Sequence, residues 1–163
     1  MIRTKSVFLI LILMIGLISC QKKTIENKVR NNVLSEVKID NLTLSDDELG
    51  FGCITEYYRK GEKMHDEIYV QTSSKDDKAW INYISINGKK EIFYSNNEDT
   101  KMAVDEEGYN LRLENEHYIV EIDAKISEEN MQSDSALASG ILTITRKSDQ
   151  AKTTINFEGG TAC

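Results

Sequence analysis

Between Val120 and Ile126 apolar and charged residues alternate without a break. Tyr118, Val120, Ile122, Ala124 and Ile126 fall on one side of an extended chain, and Glu121, Asp123 and Lys125 fall on the other. A period of two is the geometry of a half-buried strand, and no stretch beyond residue 50 sustains a helical period. Short apolar runs broken by Gly, Asn, Asp and Ser predict strands near 51–58, 67–72, 79–86, 89–94, 101–104, 109–113, 117–126, 140–146 and 152–158. Asn87-Gly88 separates two of these runs, and both residues tolerate positive φ, which predicts a type I′ hairpin. Turn signals recur about every 8–12 residues with no helix between them, the pattern of an all-β domain. The expected fold is an antiparallel β-sandwich or barrel of about eight strands.

The chain has no proline in 163 residues. One common guard of exposed strand edges is therefore missing, and Lys89, Lys90, Lys101 and Lys152, near predicted strand ends, are the candidates to replace it.

The amino-terminal segment follows different rules. Arg3 and Lys5 precede an apolar run over 7–18. That run is short for a spanning helix, which needs about 17–25 residues, and fits the roughly 7–15 residues of a secretory h-region. It ends in Leu17-Ile18-Ser19-Cys20, which resembles the bacterial lipobox. The resemblance implies a lipoprotein signal peptide over 1–19, acylation of Cys20 with palmitate-type chains, and cleavage before it. Two or three acyl chains anchor a protein stably where one does not. Gln21 is not the Asp that retains many lipoproteins in an inner membrane, so the resemblance implies the cell envelope, at the outer membrane, on either its periplasmic or its surface face. Residues 20–47 then read as the lipidated cysteine and a polar tether, and 48–163 as the β-rich globular domain. Ile25, Val29, Val33 and Val37 recur every fourth residue, too thin a stripe for a stable helix.

Export makes the other cysteines informative, because thiols oxidise outside the cytoplasm. Cys53 and Cys163 are the remaining pair. A disulfide between them would close a loop of about 110 residues and contribute roughly 4–5 kcal/mol in the chain-entropy treatment. The alternative is two unpaired thiols.

Charge narrows the range of functions. The chain carries 20 Lys+Arg against 27 Asp+Glu, net −7, and losing Arg3 and Lys5 with the leader would make this −9. Such acidity excludes a nucleic-acid partner reached through backbone phosphates. It suits a basic protein approached by electrostatic steering. No nucleophile, phosphate-loop, zinc or dinucleotide motif occurs, so neither an enzyme nor a cofactor is expected. His65 and His117 do not cluster. The acidic groups Asp46, Asp47 and Glu48, and Asp105, Glu106 and Glu107, lack the spacing of a calcium loop. They read as solvated turns that could meet a partner, and no metal is expected. Trp80 and seven tyrosines lie on predicted strands, where they can pair across the sheet or stack on sugar rings. Asp134-Ser135-Ala136 resembles the O-glycosylation acceptor of Bacteroidota, with Ser135 as the modified residue in a surface loop.

Gly52-Cys53, the stretch 80–88, the run 140–145 and the closing 158–163 together resemble small β-rich lipoproteins of Bacteroidota. The resemblance implies location and fold type, and no activity. The expected function is a lipid-anchored, non-enzymatic binding or inhibitor module for a basic protein or a glycan. The alternative is a lipocalin-like carrier of a small apolar ligand, which would need an interior cavity of several hundred Å³.

Overall fold

The structure is a computed structural model and describes residues 35–50, 52–62, 66–74, 78–96, 108–130 and 135–163. Nine strands and no helix occur among them: β1 (Ile39–Asp40), β2 (Ile54–Arg59), β3 (Glu67–Ser73), β4 (Ala79–Ile86), β5 (Lys89–Asn96), β6 (Gly108–Glu114), β7 (Tyr118–Asn130), β8 (Ser135–Arg146) and β9 (Lys152–Ala162). All ladders are antiparallel and belong to one sheet, ordered β1-β4-β3-β2-β9-β8-β7-β6, with β5 also on β4. The sheet is not closed. The expected all-β antiparallel fold holds, with its nine strands hydrogen-bonded into one sheet.

Wrapping follows from burial. A single sheet with no helix to cover it can dry one face only by folding that face onto itself. One core cluster draws side chains from all nine strands, among them Ile39, Tyr57, Tyr69, Ile84, Phe93, Leu113, Ile122, Leu142 and Phe157. The outer strands β5 and β6 approach without pairing, and Asn115, just past β6, donates to Glu91 of β5 at 3.0 Å.

Local chemistry accounts for the elements. Asn87 and Gly88 have φ of 52° and 73°, the two positive values that a type I′ turn requires, and β4 and β5 pair in register from that turn outward. Along β7, Tyr118, Val120, Ile122 and Ala124 are buried while Glu121, Asp123 and Lys125 are exposed. The predicted strand at 101–104 lies outside the described residues.

Three features differ from expectation. Residues 35–47, read from sequence as the end of a tether, are built into the domain, and the chain from Leu34 onward forms one unit. Val37 and Ile39 enter the main core, and β1 pairs with the part of β4 that β3 leaves uncovered. Leu42 packs with Val70 and Tyr83 on the outer face of the sheet, where Leu44 and Leu49 join it. Second, β8 and β9 run longer than their apolar cores suggest, because β8 starts at Ser135 and β9 continues through Gly159 and Gly160 to Ala162. Third, Lys152 opens β9, an interior strand of the sheet, in the stretch that pairs with β8 but not with β2. Lys89 and Lys90 do lie on the outer strand β5, whereas Lys101 lies outside the described residues.

Candidate functional site

The disulfide forms. Cys53 and Cys163 are bonded, with Cα atoms 3.9 Å apart across a sequence separation of 110. They flank the first pair of the β2–β9 ladder, Ile54 opposite Ala162. The bridge therefore fastens the two strands that join the early and late parts of the chain.

Beside that fastening, the outer face of β2, β9 and β8 holds a groove of about 590 Å³. A pair of glycines runs along it. A methyl group on Gly159 would sit 2.0 Å from the Glu56 carbonyl oxygen, and one on Gly160 would sit 2.3 Å from that of Ala136. The neighbouring backbones thus approach more closely than any side chain permits, which is a recognised use of glycine within a strand. Gly160, in register with Glu56 and Leu137, leaves the middle of the groove bare, while Gly159 alternates to the inner face beside Tyr57 and Ala138. Leu137, half exposed at 51%, and Ile54 supply apolar walls.

The groove's rim is acidic. Glu56, Glu62 and Glu158 all line it. Glu62 is paired with Arg59 at 3.2 Å, and Glu158 accepts a backbone hydrogen bond from Gly61 at 3.1 Å. Glu56 accepts the Tyr58 hydroxyl at 2.9 Å. Partial burial, then that hydrogen bond, push the Tyr58 pKa up, so the phenol stays protonated and keeps donating. Neither Glu56 nor Glu158 has a basic partner among the described residues.

The acidic turn expected to meet a partner is in part an internal device. Asp46 and Asp47 are exposed, but Glu48 folds back to accept from the backbone N–H and the hydroxyl of Ser45, each at 3.0 Å. It also pairs with Lys90 of β5. The Lys90 hydrogen bond and then the Ser45 N–H hold the Glu48 pKa down at about 2. A carboxylate whose pKa is lower in the folded state adds stability that is present above its ordinary range near 4.5 and lost as pH falls toward 2. Glu48→Gln should therefore lower the urea midpoint slightly at pH 7 and by much less at pH 2. An equal loss at both values would show that packing, not charge, is responsible.

Ser135 is the first residue of β8, paired with Asn130, not part of a loop, and it lies at the groove. His117 is exposed in the bend before β7, its ring edge-on to Tyr118 at 6.4 Å. Cys20, Asp105, Glu106, Glu107 and His65 lie outside the described residues, and no cluster of metal-ligating side chains occurs among those described.

Inside the sheet, polarity is uneven. Tyr57 stacks on Phe157 at 4.1 Å and near Tyr69 at 5.1 Å, filling the middle. Toward the disulfide the inward positions turn polar. Asn82, fully buried, accepts the Tyr69 hydroxyl at 2.6 Å and the Gln71 amide at 3.0 Å, and donates to the Ser95 hydroxyl at 3.2 Å and the Phe93 carbonyl at 3.3 Å. The Thr55 and Thr161 hydroxyls bond at 2.7 Å across β2 and β9. Neither this network nor the groove was visible in sequence, since both join residues far apart along the chain. No family model, no curated protein and no solved structure matches this chain.

Proposed function

We propose that the protein is a non-enzymatic binding module, held at the bacterial envelope by a lipid on Cys20, and that it engages a basic protein partner through the groove on β2, β9 and β8. One observation carries the reading: an apolar, glycine-floored channel rimmed by Glu56, Glu62 and Glu158, two of which lack a basic partner among the described residues. A Lys or Arg side chain presents an apolar stem and a cationic head, which matches such a floor and rim. The exposed carboxylates Asp46 and Asp47 add to the field that draws a cation-rich surface in. The reading as a carrier of an apolar ligand has less support, because aromatic rings fill the middle of the interior and the cavity that is left at the disulfide end is lined in part by hydroxyl and amide groups.

The test is binding of the purified protein to immobilised lysozyme and to a Lys-rich peptide, across a salt series. Affinity should fall as salt rises, since the Debye length is about 8 Å at physiological ionic strength. Glu56→Gln with Glu158→Gln should weaken binding about five- to tenfold while circular dichroism stays unchanged. Binding insensitive to both salt and these substitutions would remove the groove from consideration. In the producing cell, Cys20→Ala should abolish fatty-acid labelling. Retained labelling would refute the anchor.

A further inference from the structure

At the disulfide end the inner face of the sheet holds a second, partly open cavity, of about 300 Å³, separate from the outer groove. Trp80 of β4 and Tyr109 of β6 line it as aromatic walls, with Leu111 beside them. Thr55, Gln71 and Thr161 supply hydroxyl and amide groups, and Cys53 contributes the bridge. We propose that this cavity binds one neutral, polyhydroxylated ring, a pyranose, either free or at the end of a glycan.

Three features converge on that class. No charged side chain lines the cavity among the described residues. An ion placed there would lose its hydration without compensation, so phosphates, carboxylates and cations are disfavoured. The volume lies at the bottom of the range for small-ligand sites, about 300–1,000 Å³, which suits a single ring better than a lipid chain.

The lining is the third feature, since aromatic faces serve the C–H faces of a sugar while hydroxyls and amides serve its O–H groups. The Trp80 indole N–H and the Tyr109 hydroxyl make no side-chain hydrogen bond among the described residues, and because no buried polar atom there lacks a partner, both are open to solvent in the cavity. Burial pushes the Tyr109 pKa up, which keeps that hydroxyl able to donate. A purely apolar occupant would leave both groups dry and unpaired. Behind the wall, Asn82 holds the Gln71 amide by its nitrogen, which leaves the Gln71 carbonyl oxygen to accept from a ligand.

The experiment is direct, because Trp80 is the only tryptophan in the chain and its fluorescence reports this cavity alone. The purified protein is titrated with glucose, galactose, N-acetylglucosamine and the acidic sugar N-acetylneuraminic acid. At least one neutral sugar should shift Trp80 emission saturably, and the acidic one should bind at least tenfold more weakly. Tyr109→Phe and Gln71→Ala should each weaken the neutral sugar about tenfold. Near-ultraviolet dichroism and the urea midpoint check that each variant folds. Glu56→Gln with Glu158→Gln should leave sugar binding unchanged, which separates this cavity from the outer groove. No response to any neutral sugar at tens of millimolar would overturn the proposal. So would tighter binding of the acidic sugar than of all neutral ones.

Discussion

Breaking the Cys53–Cys163 bridge should lower the unfolding free energy by about 4–5 kcal/mol, the chain-entropy value for a loop of this length. At this chain size that corresponds to a fall in Tm of roughly 10–20 °C. The two cysteines flank strands that a hydrogen-bonded ladder already holds together, so the folded state loses little when the bond goes. The effect resides in the unfolded chain, which becomes free to expand. A particular signature follows. Cys53→Ser with Cys163→Ser, or simple reduction, should raise the m-value of urea unfolding as well as lower its midpoint, because a more expanded unfolded state exposes more surface. A stability change below about 1 kcal/mol would contradict the entropic account.

Asn82→Leu should be the most damaging single substitution in the interior, with an expected loss of about 3–4 kcal/mol. Leu fits the volume, but the site is a polar hub. Substitution strands the buried Tyr69 hydroxyl and frees the Gln71 amide and the Ser95 hydroxyl from their shared partner. Desolvation alone already pushes the Tyr69 pKa up, so ionisation offers no escape from the missing acceptor. Tyr69→Phe in the Asn82→Leu background should restore part of the loss, since it removes the stranded group. A double-mutant cycle measures that coupling, and strict additivity would show that the two residues do not act together.

Much of the scaffold was legible in the residues themselves. The strand over Ala79–Ile86 was read with its observed ends, and the Asn87-Gly88 turn with its observed backbone. The wet and dry sides of β7 followed from the Tyr118 to Ala124 alternation. Each of these is a local signal, in which neighbours along the chain report on the same strand or turn. Reading failed where the signal was not local. The last strand was read as ending at 158, yet Gly159 and Gly160 lie within β9 because the backbones of β2 and β8 press close on either side. Residues 35–47 look like a polar tether, yet Val37, Ile39 and Leu42 are buried by strands that begin far downstream.

By itself, then, the sequence determined an acidic, proline-free, strand-built domain with a cysteine pair available for oxidation, because composition and short-range periodicity are properties of the chain alone. Tertiary structure decided that the pair bonds, that Gly160 opens a groove between Glu56 and Leu137, and that Trp80, Gln71 and Tyr109 share one cavity. Antiparallel register makes these choices. A slip of one residue would turn every side chain of a strand to the opposite face, and register is set by packing against distant strands, which no local pattern encodes.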